Sequence, residues 1–273
     1  MRILFIFTGG TIGSTLSGGT IGTDRDKSYK IIEAYREAHG IDFEYDMIEP
    51  YTALSENNTG DTIRRMCECV SDYITRGYDG IILTHGTDTL SYSAAALGYA
   101  LGLDTIPVCI VSSNRPIEHE RANAIDNLHA AVCFIRSRSG RGCFVMYRND
   151  NSDTVRAHRS TRLLGPKAYS DDVSSALGSI YGHFDADFRF VPNDLYAERE
   201  DEMPPIDYRR LSESSDDIIM IQSYPGMRYP TDLDGVRCVI VNTYHSGTLD
   251  TSSERARRFY LSCRESGVRV YAT

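Results

Sequence analysis

The strongest constraint on this chain is an alternation. Short apolar runs of strand length, at residues 3–7, 43–48, 80–84, 106–112 and 143–147, are separated by segments with helical periodicity. Between the second and third runs, Ile63, Met66, Cys67, Val70, Tyr73 and Ile74 fall on one helical face. Asn58 or Thr59 is placed to cap that helix and Gly77 to end it. Residues 90–101 predict a further helix, and Ala124, Leu128, Ala131 and Ile135 mark another. Strand, helix, strand in this order predicts an α/β fold, with a mostly parallel sheet covered on both faces.

The pattern breaks at residues 186–216, which hold Pro192, Pro204 and Pro205 and an acidic run at 198–202. This stretch reads as a linker with one short extended piece. Beyond it, residues 217–222, 238–242 and 268–272 read as strands. Residues 253–265 read as a helix with Ala256, Phe259, Tyr260 and Cys263 on one face. The expected organisation is a large α/β domain over 1–185, a linker over 186–216, and a small α/β domain over 217–273. The small domain has few elements and is expected to be incomplete.

Composition removes several classes of function. The formal net charge is −9 over 273 residues, and so acidic a surface repels phosphate backbones. The one mildly basic stretch, 136–141, reads as a loop, so no nucleic acid partner is expected. No run approaches 18 apolar residues, and the N-terminal apolar run of five is too short for a signal peptide. The seven cysteines are odd in number. Cys67 and Cys69 are spaced C-x-C, which suits neither a zinc knuckle nor a redox pair. Buried thiols in a reducing cytoplasm are the expectation. His119, His129 and His158 are scattered without metal-ligand spacing, so neither metal nor cofactor is expected.

Two clusters could carry chemistry. Thr8-Gly9-Gly10-Thr11-Ile12-Gly13 directly follows the first strand. Its glycines fit neither the dinucleotide fingerprint nor a P-loop, since no Gly-Lys-Ser/Thr follows. What remains is two hydroxyls in a glycine-rich turn, which local backbone capping would also explain. The second cluster, Thr84-His85-Gly86-Thr87-Asp88-Thr89, follows the strand at 80–84 and leads into a helix. Thr87 or Asp88 could simply cap that helix. In a doubly wound sheet, however, both clusters share the carboxyl edge where ligands bind.

TGGTIG at 8–13 and THGTDT at 84–89 resemble the two signature motifs of the bacterial-type L-asparaginases, the asparaginase/glutaminase family. The segment Val111-Ser112-Ser113-Asn114-Arg115-Pro116-Ile117 resembles the family's stretch after its fourth strand, and the likeness continues through Val132. It covers residues 1–185 well and 217–273 loosely. The resemblance implies an amidohydrolase in which Thr11 attacks the side-chain amide carbon of asparagine. An acyl-enzyme forms, and water cleaves it to aspartate and ammonia; glutamine would be a weaker substrate. Thr87 and Asp88 fall on the second catalytic threonine and its carboxylate, and Asp88 would also hold the substrate's α-ammonium. Ser55 matches the serine that binds the α-carboxylate, and Glu56 a neighbouring contact. Gly10 and Gly86 lie in the substrate-binding turns, and Ser113 falls where a backbone carbonyl receives the leaving amide. His85 is expected to shape its turn rather than transfer protons. Chemically this is coherent, because a threonine hydroxyl needs a base and the oxyanion needs aimed donors.

Departures from the family pattern are equally specific. Aligning 154–158 puts Arg156 where the family has a lysine that activates the second threonine. An arginine can hold a charge but not relay a proton, so Arg156 is expected to clamp Asp88 or to slow catalysis. Lys167, behind Gly165-Pro166, reads as part of a separate turn. Thr20 lies nearest the place of the family's mobile-loop tyrosine, with Tyr29 beyond it. GGTIG recurs at 18–22, but no strand precedes that copy. In Tyr244-His245-Ser246-Gly247-Thr248, Thr248 stands for an asparagine that reaches a neighbouring subunit's site. The chain ends at Thr273, some tens of residues before family members do, and without a glutamate that completes that site. These departures motivate an alternative, a weakened asparaginase-like protein that binds aspartate or asparagine. A third reading is an amidase subunit feeding ammonia to a tRNA-dependent amidotransferase. It ranks lower because no N-terminal extension precedes Thr11. A homodimer or homotetramer is expected, with Thr248 of one chain near Asp88 of another.

Overall fold

The computed structural model describes every residue except 10–13, 18–19, 24–26, 167–168, 198–204 and 214–216, with backbone only for the rest of 10–29 and for 212–213. Two compact units, Met1–Arg209 and Arg210–Thr273, divide the chain.

The first unit opens with β1 (Arg2–Phe7), the hairpin strands β2 (Ser14–Ser17) and β3 (Thr20–Thr23), α1 (Lys27–His39) and β4 (Glu44–Ile48). Next come α2 (Gly60–Tyr73), β5 (Gly80–Thr84), α3 (Leu90–Leu101), β6 (Val108–Val111), α4 (Ala124–Arg136) and β7 (Cys143–Tyr147). The last strands are β8 (Arg156–Arg159), β9 (Leu163–Leu164), β10 (Ser174–Ser175), β11 (Gly182–Phe184) and β12 (Phe190–Pro192). Eight of them form one sheet in the order β12-β11-β8-β7-β6-β5-β1-β4. Strands β4, β1, β5, β6 and β7 are parallel, and β8, β11 and β12 are added antiparallel. The expected mostly parallel sheet is therefore present, with an antiparallel flank.

The parallel strands are apolar on both sides because both sides are covered. Ile3, Phe5 and Phe7 of β1 pack with α1 and α4, whereas Leu4 and Ile6 pack with α2 and α3. This arrangement has a topological consequence. The crossovers β1–α1–β4, β4–α2–β5 and β5–α3–β6 share one hand. From β6 to β7 the chain steps in the same direction as from β5 to β6, yet α4 lies on the opposite face from α3. That crossover has the opposite hand, and with about 98% of parallel crossovers right-handed, it is the exception. Residues 112–123 must cross the carboxyl edge of the sheet to make this connection.

Residues 186–216, read as a linker with one short extended piece, supply an edge strand at 190–192. Phe190 packs its ring at 5.0 Å from Phe134, 5.5 Å from Phe184 and 5.8 Å from Tyr181. That anchor draws 190–192 into the large sheet, and Pro192 is tolerated because β12 is its last strand. The first unit continues to Arg209.

The second unit holds β13 (Ile218–Gln222), β14 (Cys238–Asn242), α5 (Glu254–Glu265) and β15 (Arg269–Ala272). Its three strands form a parallel sheet. Val239 and Val241 pack against Phe259, Cys263 and Val268, while Ile218, Met220 and Tyr271 on the strands are exposed. Ser253 caps α5, its hydroxyl accepting from the Ala256 amide at 3.2 Å.

Among the described residues no helix is long and apolar enough to cross a membrane, and none of the cysteines forms a disulfide. Burial pushes the Cys67 thiol up to about 12 and that of Cys69 to about 11, so neither is a ready nucleophile.

Candidate active site

From β1 the chain proceeds to β4 on one side, and β5 then adds on β1's other side. The strand order therefore reverses between β1 and β5. In a doubly wound sheet the crevice for a ligand opens at the carboxyl ends of such a pair. Thr8 and Thr84 sit there, both buried. Thr8 Oγ1 donates to the Thr84 carbonyl at 2.6 Å, and the Thr8 amide donates to Thr84 Oγ1 at 3.4 Å. The two motifs are thus tied to each other at their first residues.

Gly9 has φ +97° and bridges Ala53 in the connection after β4. The Ala53 amide donates to the Thr8 carbonyl at 3.1 Å. A Cβ on Gly9 would lie 2.4 Å from the Ala53 carbonyl oxygen, so this approach demands glycine. The contact carries the β4 connection, and Ser55 with it, to the first motif.

Ser55 is buried, and its hydroxyl donates to Asp88 Oδ2 at 3.2 Å. Asp88 itself is exposed, open to a ligand. Neither Thr87 nor Asp88 caps α3: the N-cap is Thr89, and no side chain makes a cap hydrogen bond. The Thr87 hydroxyl makes no hydrogen bond among the described residues, and it stands beside a carboxylate whose described side-chain partner is Ser55. Thr89 Oγ1 donates to the Ser55 carbonyl at 2.9 Å, and Asn58 Nδ2 donates to Thr89 Oγ1 at 3.1 Å. Asn58 Nδ2 also lies 3.2 Å from His85 Nε2, while His85 Nδ1 lies 2.7 Å from the Gly86 carbonyl. Burial holds the His85 imidazole below its ordinary pKa, which suits a turn-shaping role.

The unusual crossover is held by asparagines. The Asn114 amide donates to Asn123 Oδ1 at 2.9 Å and the Asn123 amide to Asn114 Oδ1 at 3.2 Å, closing residues 114–123 on themselves. Asn127 Nδ2 donates to the Ser112 carbonyl at 2.9 Å, and Asn127 Oδ1 accepts from the Arg148 amide at 2.8 Å. Asp150 accepts from Asn114 Nδ2 at 2.5 Å and pairs with Arg115 at 2.9 Å. Ser113, fully buried at the start of this loop, donates through its hydroxyl to the Arg115 carbonyl at 2.5 Å.

Of the site residues expected from sequence, Ser55, Gly86, Thr87 and Asp88 lie together where the β4 and β5 connections meet, with Glu56 exposed beside Ser55. Ser113 follows the neighbouring strand β6 on the same edge. Gly10 and Thr11 lie outside the described residues, as does the side chain of Thr20. Arg156 opens β8, paired with Tyr147 of β7 and His183 of β11, and no ion pair joins it to Asp88 among the described residues. Lys167 lies outside the described residues, but Gly165 runs beside α3, where a Cβ would meet Ser91 Oγ at 3.1 Å. Ser91 is three residues past Asp88. Thr248 belongs to the second unit, in a turn closed by the Tyr244 amide to the Thr248 carbonyl at 2.9 Å. Among the described residues no three His, Cys, Asp or Glu side chains converge as metal ligands.

Sequence reasoning missed Asn58, Asn123 and Asp150. Asn58 reads only as a helix cap, a role that Thr59 fills by accepting from the Thr62 amide at 3.4 Å. Nothing in the sequence signals that Asp150 meets Arg115 across 35 residues.

Residues 2–173 match the family model described as "Asparaginase, N-terminal". This chain belongs to the asparaginase family. Curated relatives include a subunit of the Glutamyl-tRNA(Gln) amidotransferase of Haloquadratum walsbyi, 30% identical over 233 residues, covering 82% of this chain and 50% of that protein. The same amidotransferase subunit from Methanosarcina acetivorans is 33% identical over 184 residues, covering 66% of this chain and 42% of the relative. The chain spans about half the length of the curated relatives it matches. Two solved structures share the fold. The probable cytoplasmic L-asparaginase of Campylobacter jejuni superposes with TM-score 0.77 at 19% identity, covering 100% of this chain and 82% of that one. The thermostable L-asparaginase of Thermococcus kodakarensis gives 0.76 at 19%, covering 99% and 79%.

Proposed function

We propose that this chain hydrolyses the side-chain amide of asparagine, and more weakly of glutamine, releasing ammonia. The observation that carries the reading is the carboxyl edge where β1 and β5 adjoin. There the first motif is bonded to the second, and Ser55 reaches Asp88 while Thr87 and Asp88 are left without a capping role. In this reading Asp88 holds the substrate's α-ammonium and Ser55 its α-carboxylate. The Thr11 hydroxyl oxygen bonds to the amide carbon as its proton passes to a base. The C–N bond then breaks, with the nitrogen leaving as ammonia, and water cleaves the Thr11 ester to free the acid. Backbone donors of the glycine-rich turns stabilise the oxyanion. Arg156, aligned with the family's lysine, is proposed as the cation that serves Thr87 and Asp88, with Lys167 the less favoured substitute.

The test is ammonia release from both amides by wild type and Thr11→Ala. Turnover by wild type and its loss in Thr11→Ala is the expected result. Full activity in Thr11→Ala removes the nucleophile assignment. A wild type that binds aspartate but releases no ammonia points to the weakened, binding-only form.

The names of the curated relatives favour a second reading, in which the same amide hydrolysis supplies ammonia to a tRNA-dependent amidotransferase. Hydrolysis stimulated several-fold by charged tRNA and a partner protein would support it; hydrolysis indifferent to both would remove it. For the free enzyme we propose a homodimer or larger, with the second unit of one copy beside the site of another. Light scattering checks this, and a fully active species of 30.6 kDa rules it out.

A further inference from the structure

The hydrogen bonds behind Asp88 run in one direction only, and the chemistry of each group decides which. The Gly86 carbonyl can only accept, so His85 Nδ1, 2.7 Å away, carries a proton. His85 is buried at 2% exposure. A neutral ring protonated on Nδ1 has a bare Nε2 that needs a donor. Among the described residues that donor is Asn58 Nδ2 at 3.2 Å. The same amide group holds a second hydrogen, directed to Thr89 Oγ1 at 3.1 Å. The Thr89 hydroxyl, its lone pair occupied, passes its own hydrogen to the Ser55 carbonyl at 2.9 Å. Ser55 in turn donates to Asp88 at 3.2 Å. Both hydrogens of one side-chain amide therefore join the β4 connection to the second motif.

We propose that Asn58 is a positioning residue that sets the spacing of Ser55 and Asp88, and so the grip of the site on the α-amino-acid end of its substrate. This rests on the roles given to Ser55 and Asp88 above. Asn58 touches no reacting atom in this scheme. It acts through Thr89 and through the orientation of His85, and its loss frees the connection carrying Ser55 to shift relative to Asp88. An interaction of this kind serves ground state and transition state alike, so its loss raises KM more than it lowers kcat.

The variants are Asn58→Leu, which keeps the volume and removes both donors, and Thr89→Val, which removes the link to Ser55. Each should raise KM for asparagine by roughly 10–100-fold with kcat within about threefold. The double variant should be no worse than the poorer single one, because both break one chain of bonds. Nitrogen-15 NMR of labelled histidine gives a readout that turnover does not touch: wild type shows Nδ1 protonated and Nε2 bare. In Asn58→Asp a carboxylate faces Nε2, which should take up a proton, a change that loss of packing alone would not produce. Unchanged KM in both single variants, fully additive effects, or a wild-type His85 protonated on Nε2 overturns the proposal. A wild type that neither hydrolyses an amide nor binds aspartate overturns the functional reading and the subsite role with it. The His85 signal then still decides whether the bonded chain exists.

Discussion

Replacing Gly9 with alanine tests how the site is assembled. At φ +97° a residue with a side chain costs about 1–2 kcal/mol. The new methyl would sit 2.4 Å from the Ala53 oxygen and 2.9 Å from its nitrogen, where ordinary contact begins at 3.4 Å. Relief requires the two connections to part by close to 1 Å. That opens the 3.1 Å bond from the Ala53 amide to the Thr8 carbonyl, with a net cost of about 1 kcal/mol. The expected destabilisation is about 2–3 kcal/mol, or a melting temperature lower by roughly 5–10 °C for a unit of this size. Activity should suffer more, because a displacement of about 1 Å can cost a hundredfold in rate. Gly40→Ala is the control. Gly40 has φ +71° but nothing within 4 Å of its would-be Cβ, so it carries strain without a clash. Calorimetry and ammonia release on both variants give the comparison. If Gly9→Ala matches Gly40→Ala in both melting temperature and turnover, the contact with Ala53 does not organise the site.

The cation assignment predicts that Arg156→Ala loses at least about a hundredfold in kcat, whereas Lys167→Ala stays within about threefold; the reverse ranking moves the role to the lysine. Acid stability gives a prediction with a defined sign. His158 is fully buried, its Nδ1 is 2.8 Å from Ser175 Oγ, and its Nε2 has no hydrogen-bond partner. Burial first, and the Arg156 charge second, push its pKa down to about 3. The unfolded chain takes up this proton near pH 6.5 and the folded one does not. The contribution is therefore intact above about 6.5 and is lost as pH falls toward 3, at up to about 1.4 kcal/mol per pH unit. Urea midpoints at pH 7 and pH 4.5 should converge in His158→Gln relative to wild type. Equal pH slopes in the two proteins would assign the proton uptake to other groups.

What the sequence determined by itself was whatever depends on neighbours along the chain. Continuous apolar runs bounded by turn residues placed β5, β7 and β14 at their observed limits, and the helices α3 and α5 were legible to within a residue. The glycine-rich motifs after two strands pointed to the carboxyl edge, because strand ends and turns are written locally. Tertiary structure decided everything that required distant segments to compete for the same surface. Phe190 found a ring cluster in α4 and β11 and drew the short extended piece of residues 190–192 onto the edge of the sheet. The order of strands set β8 three positions from β5, a neighbourhood that spacing along the chain does not reveal. The same order placed α4 on the face opposite α3, and the connection it forced across the sheet edge is held by Asn114, Asn123 and Asn127. In sequence these three lie in the stretch that resembles the family, with nothing to show which groups they bond. Their meaning, like that of Asn58, comes from which donors and acceptors the fold buries beside them, since a hydrogen bond depends on about 3 Å of separation in space and not on spacing along a chain.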